Sequence, residues 1–203
     1  MDTRLQMVTQ DGFKFIIVSL IAYVLFSLLS LNSLAIISII VACVGVYFYR
    51  NPERVCNDDS KDNIVSPVDG KIKDIIQEEN KITLVVSKPI CFCGLIRMPF
   101  RGYVKKAKKI HGLCNADSIT GERIYIDFKH ENDTDFMKLI IYPRIFSQVN
   151  FYGDDSICRI ANRVGFLLDG KVFITISNIN LKVSVGDMLY AGISSIGSLN
   201  NEN

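Results

Sequence analysis

The chain offers few residues for acid–base, nucleophilic or metal chemistry, and their spacing limits what they can do. It has two histidines, His111 and His130, and six cysteines, Cys43, Cys56, Cys91, Cys93, Cys114 and Cys158. The cysteines follow no regular spacing, and a chain this long and apolar is outside the class of disulfide-framed miniproteins. Reduced thiols in a cytosolic setting are expected. Cys91-Phe92-Cys93 would place two sulfurs on one face of a strand. A structural zinc site needs four ligands at close spacing, and no second pair stands nearby, so no metal is expected. Arg97 and Arg123 are suited to gripping a phosphate or carboxylate through the two-pronged guanidinium. Arg97 opens the run "RMPFRGYVKKAKKIH", which carries Arg101, Lys105, Lys106, Lys108 and Lys109 around Phe100 and Tyr103. Beside an anionic leaflet each such cation gains about 1 kcal/mol, with Phe100 and Tyr103 at headgroup level, so this stretch is expected to lie against membrane phospholipid. A net charge of +2 over 203 residues does not point to nucleic acid.

These groups need a scaffold, and hydropathy divides the chain in two. From Phe13 to Tyr49 the sequence is apolar with Lys14 as its one charge. The polar "SLNS" at Ser30–Ser33 breaks it into two helices, expected at residues 15–29 and 34–49, forming a membrane hairpin within residues 1–54. A signal peptide is disfavoured, because no small-residue cleavage site separates the two runs. Arg4 and Lys14 precede the hairpin and Arg50 and Arg54 follow it, so both ends are expected in the cytoplasm. Residues 55–63 read as an acidic linker. From Ile64 onward short Val- and Ile-rich runs punctuated by Gly, Pro and Asn-Asp predict a mainly β body over residues 64–203, a compact sandwich or barrel. Within it, Pro67-Val68-Asp69-Gly70 and Pro99-Phe100-Arg101-Gly102 repeat one turn pattern ahead of a strand. "VGFLLDGKVFITI", residues 164–176, reads as a hairpin closed by a type I′ turn at Asp169-Gly170. The "VGDMLYAG" turn invites comparison with biotinyl and lipoyl carrier domains, but Lys171 lacks the flanking residues of a carrier lysine.

Five segments occur in one order: "YFYRNPER" (47–54), "VSPVDGKI" (65–72), "RMPFRGYV" (97–104), "GER" (121–123) and "RVGFLLDGKV" (163–172). In that order the chain resembles the phosphatidylserine decarboxylases, closest to their short, bacterial, membrane-anchored type. The resemblance implies a proenzyme that cuts itself at a Gly-Ser pair and leaves a pyruvoyl group. That ketone takes up the substrate amine as a Schiff base and drains electrons while carbon dioxide leaves. It also implies a bacterial inner-membrane location with the β body on the cytoplasmic side, and a homodimer.

The sequence departs from that pattern at two places. The family's processing strand resembles R-x-G-x-I-x-F-G-S-R-V; here Gly170 runs directly into Lys171, and the serine between them is missing. The family's V-H-x-x-R-x-P carries a histidine at the position of Gly94, and glycine moves no proton. Gly197-Ser198 is discounted as a displaced cut site, lying in a tail unlike the family, and His111 is expected at the surface. Asp69, which the resemblance makes the acid supporting the serine, is expected to persist as a turn residue. No cofactor is therefore expected. The expectation is a non-processing homologue that binds lipid or pairs with an active relative. An active decarboxylase with another carbonyl source and a carrier-like β-domain remain the alternatives.

Overall fold

The computed structural model describes residues 7–54, 56, 63–78, 81–110, 112, 122–130, 135–144, 149–152 and 157–199. The chain divides into two compact units, Met1–Glu53 and Arg54–Asn203. In the first, α1 (Gln10–Leu28) and α2 (Asn32–Phe48) form the helix pair. Both start earlier than the apolar runs suggest. The reversal needs only Leu29–Leu31, with Ser30 in the left-handed region at φ 58°, so Asn32 and Ser33 open α2 instead of breaking the chain. At 19 residues α1 is about 28 Å long, close to a hydrocarbon core of about 30 Å. It is long and apolar enough to cross a membrane. Small residues line the seam: Gly12 and Ser19 of α1, and Ala35, Ser38, Ala42 and Gly45 of α2 are buried, while leucines, isoleucines and valines point outward. That inverted pattern is how helices pack in lipid, where close backbone approach replaces hydrophobic burial. A Cβ on Gly45 would stand 2.8 Å from the Phe15 ring. The two ends of the pair are stitched together, Thr9 N–H donating to Tyr49 O at 2.9 Å and Asn51 N–H to Met7 O at 2.9 Å.

The second unit is built of strands: β1 (Asn63–Val65), β2 (Gly70–Glu78), β3 (Lys81–Lys88), β4 (Leu95–Arg97), β5 (Gly102–Ile110), β6 (Arg123–His130), β7 (Asp135–Pro143), β8 (Val149–Phe151), β9 (Arg163–Leu167), β10 (Gly170–Ser177), β11 (Ile179–Leu181), β12 (Met188–Leu189) and β13 (Ser195–Leu199). Seven form one antiparallel sheet in the order β12-β2-β3-β10-β7-β6-β5, flanked by two three-stranded sheets, β1-β13-β11 and β4-β9-β8. Alternation sets the faces. Along β10, Gly170, Val172, Ile174 and Ile176 are buried while Lys171, Phe173, Thr175 and Ser177 are half-exposed. The buried set joins Ile72, Leu84, Val86, Ile126, Phe128 and Leu139 in one core.

The repeated turn is the trace of an internal two-fold. Bulges recur at a fixed offset of 32 residues, after Ile72 and Val104 in the large sheet and after Ile64 and Ile96 in the small ones. The two turns exchange backbone hydrogen bonds, Arg97 N–H to Pro67 O at 2.8 Å and Val65 N–H to Pro99 O at 2.9 Å. The pseudo-axis runs through the β7–β10 pair, where Leu139 faces Ile174. One half, β4 to β9, is thus inserted between β3 and β10 of the other.

The expected hairpin at residues 164–176 does not exist. β9 pairs with β4 and β8, and β10 pairs with β3 and β7. The positive-φ residues described in this unit are Ala161, Asn178, Gly186 and Gly192; Asp169 and Gly170 are not among them. Leu168-Asp169 carries the chain between sheets. Cys91 and Cys93 also fall off the strands, in a turn closed by Phe92 N–H to Pro89 O. Burial decides the sizes of substitution effects here. Ile174→Ala, at the pseudo-axis, is expected to lower the unfolding free energy by about 2–5 kcal/mol in urea titrations. Lys138→Ala, on the exposed side of β7, should change it by less than about 0.5 kcal/mol.

Candidate functional site

The turn before β2 aims Asp69 inward, where its carboxylate meets three donors. Asp69 Oδ1 accepts from the Ala191 N–H at 2.7 Å and from Arg54 Nη1, and Oδ2 accepts from Arg54 Nη2 at 2.8 Å. Arg54 Nη1 also donates to Ala191 O at 3.0 Å, and the guanidinium lies 5.9 Å from the Tyr190 ring centroid. This is a bidentate, charge-assisted pair with both side chains largely out of water. The hydrogen bonds to Asp69 raise the Arg54 pKa above its ordinary value.

Arg97, at the end of β4, is 3% exposed and donates from Nη1 to Ala161 O at 2.9 Å. Burial first, then the positive charges of Arg163 and Arg54, lower its pKa to about 10, so it stays charged at neutral pH. Arg54 and Arg97 both lie within electrostatic reach of Asp69 and of Cys93, and Arg163 lies within reach of Arg97.

The bend at Leu168–Lys171 lies at the same end of the large sheet. Gly70, Lys88, Gly170 and Pro143 stand in one cross-strand row, which separates the Gly70 and Gly170 backbones by two strand spacings, about 10 Å. Lys88 stands between them and is the residue the sequence reading missed. It is fully buried, and Nζ donates to Leu168 O at 3.0 Å and Phe92 O at 3.4 Å. Its parity with Leu84 and Val86 was the available signal, since all three occupy the inward face of β3. Lys171 takes the outward face, its Nζ 5.5 Å from the Phe173 ring centroid. Asp169 meets Arg144 at 3.4 Å. An open groove of about 410 Å3 lies on this outward side, lined by Lys73, Arg144, Lys171 and Phe173. Arg123, first residue of β6, alternates with inward Ile124 and is half-exposed. The structure therefore gathers Asp69, Arg97, Lys88 and Gly170 at one end of the β unit, with Lys171 and Arg123 on the outer face.

A self-generated pyruvoyl group does not fit the bend. From Arg159 to Ile174 the chain holds no serine, threonine or cysteine. Gly170 is already paired on both sides, and a Cβ there would stand 2.6 Å from Tyr142 O. At Gly94 the space is also taken. A Cβ would stand 2.2 Å from the Phe166 ring, and the Gly94 carbonyl accepts from Leu167 N–H at 2.7 Å. Gly197-Ser198 is no loose tail. It belongs to β13, the middle strand of its sheet, with Ser198 opposite both Asn63 and Asn180.

The basic stretch forms β5, the edge strand of the large sheet. Arg101, Lys105, Lys108 and Lys109 are exposed, Tyr103 is half-buried, and Lys109 pairs with Glu122 at 2.6 Å. Phe100 is not at headgroup level as expected; its ring is buried in the β core. Charged edge strands also resist sheet-to-sheet association. The Lys106 side chain, His111 and Cys114 lie outside the described residues. Among the described residues no group of three His, Cys, Asp or Glu stands close enough to hold a metal.

Comparison with known proteins gives one answer. A family model for phosphatidylserine decarboxylase matches residues 42–192. The chain is 23% identical to the phosphatidylserine decarboxylase proenzyme of Wolbachia sp. subsp. Brugia malayi (strain TRS), covering 97% of this chain and 93% of the relative. It is 28% identical to the proenzyme of the same name from Ehrlichia chaffeensis, over 82% of this chain and 83% of the relative. No solved structure matches.

Two expected outcomes follow from the site's packing. Asp69→Ala strands the Arg54 guanidinium in a site built for an ion pair and should cost about 3–5 kcal/mol in urea unfolding. Gly94→His drives its side chain into Phe166 and should depress the thermal midpoint sharply. Adding Phe166→Ala to the same chain should recover part of that loss, since the two positions share one space.

Proposed function

The chain belongs to the phosphatidylserine decarboxylase family of phospholipid biosynthesis, and on that premise we propose that it is an uncut, catalytically silent member that binds anionic membrane lipid. The observation that carries this reading is the direct Gly170–Lys171 junction. No hydroxyl or thiol stands in the segment where a self-cut would start, so an ester cannot form and no new amino terminus appears. Three further facts support it. The Asp69 carboxylate is engaged by Arg54 and the Ala191 N–H. The position of the family's histidine is Gly94, packed on Phe166. Lys88 ties Leu168 O beneath the bend, holding the intact backbone in place.

Lipid contact is assigned to two features. α1 is the length of a membrane span, and the helix pair is expected to anchor the protein in a bacterial inner membrane with the β unit on the cytoplasmic side. Arg101, just before β5, and the β5 cations Lys105, Lys106, Lys108 and Lys109 supply the attraction to an anionic leaflet. Arg97, with Arg54 and Arg163 beside it, is the group placed to receive a phosphate or carboxylate.

Intact mass tests the first claim. The purified protein should run as one chain of 22.8 kDa with its own amino terminus. Two chains, the smaller blocked at its amino terminus by pyruvoyl, or release of carbon dioxide from phosphatidylserine vesicles, would refute silence. For the lipid claim, replacing Lys105, Lys106, Lys108 and Lys109 by Gln should weaken sedimentation of the β unit's proteolytic fragment with anionic vesicles. The fragment's affinity should fall about tenfold or more, at roughly 1 kcal/mol per cation lost.

A further inference from the structure

We propose that the segment 185–193, made of β12 and the turn on each side of it, together with its pseudo-symmetric counterpart at Ile157, dips into the bilayer interface and brings the Asp69–Arg97 cluster to the headgroup layer. The exposed apolar side chains of the β unit are unevenly distributed. Seven large ones are exposed among its described residues: Ile76, Ile110, Ile157, Val185, Met188, Tyr190 and Ile193. Four of these lie within residues 185–193, and Ile157 takes the place equivalent to Met188.

The pseudo-axis explains the clustering. Leu189 is bridged to Gly70, and Cys158 is bridged to Gly102 in the equivalent place. The residues just before them, Met188 and Ile157, are 47% and 58% exposed. Val185, 58% exposed, sits at a tip where Gly186 takes φ +99° and has nothing within 4 Å of where a Cβ would be. Exposed apolar tips cost solvation unless something covers them.

The charge around the tips selects the cover. Lys71 lies opposite Met188 in the β2–β12 pair, and Arg101, Arg159 and Lys182 are exposed on the same and neighbouring turns. Asp187, also exposed, shares the turn with Val185, and the cations outnumber it. Apolar tips with an excess of cations on their own and neighbouring turns, and Tyr190 among them, have the composition of a segment resting at a lipid–water boundary. The chain itself supplies continuity. Arg54, which lies over the Tyr190 ring and is bonded to Ala191 O, follows Phe48 at the end of α2 by six residues of covalent chain. The surface differs from the β5 lysines assigned above, and it stands whether or not the chain cuts itself.

The absence of tryptophan from the sequence makes the test direct. Full-length protein carrying Ile193→Trp or Met188→Trp is reconstituted in vesicles of phosphatidylethanolamine and phosphatidylglycerol, with Ile76→Trp as the control on β2. The expected result is blue-shifted emission at 193 and 188, quenched several-fold more strongly than at 76 by lipids brominated near the glycerol end of the chain. Two reporters guard against one failing to fold. Equal quenching at all three positions overturns the proposal. So does a blue shift at 188 and 193 that is not quenched and fades as protein is diluted in lipid, because the tips would then be covered by a second copy.

Discussion

The exchange of hydrogen bonds between the two Pro-x-x-Gly turns holds the rest of the β unit in register. Arg97 N–H reaches across to Pro67 O, and Val65 N–H reaches back to Pro99 O. Each turn starts one long strand of the large sheet, so fixing the turns fixes where β2 and β5 begin. The consequence passes to the site. Asp69 sits inside one of these turns and Arg97 immediately precedes the other, so the carboxylate and the buried guanidinium are set by backbone geometry before any side chain meets a ligand.

At that junction Arg54 pairs with Asp69, and the buried Arg97 lies within electrostatic reach of both. A buried guanidinium is expensive to hold without an acceptor, and Ala161 O provides one.

Much of this was legible in the sequence, and the failures have physical causes. Alternating Val and Ile runs announced the strands, and the P-x-x-G repeat announced the duplication. The Asp169-Gly170 bend misled because turn chemistry is local: the dipeptide accepts a hairpin, but the flanking strands find better partners in different sheets. "SLNS" misled in the same way, since one residue in the left-handed region is enough to reverse a helix. Cys91-Phe92-Cys93 looked like alternation, but Pro89 had already ended β3. Lys88 escaped notice because charge suggests solvent, whereas parity with Leu84 and Val86 places it inside. Gly197-Ser198 was dismissed as a tail because β13 becomes a middle strand only by pairing with β1, more than a hundred positions away.

The nesting of one half within the other imposes an order of assembly. Strands β6 and β7 are separated by four residues and β5 and β6 by twelve, so the three can zip together soon after they are made. The enclosing half cannot close until β13 returns to β1, with Ser198 beside Asn63, and that loop spans nearly the whole domain. A ribosome-bound chain would therefore hold an organised inner lobe while its outer seam waits for β13 to emerge.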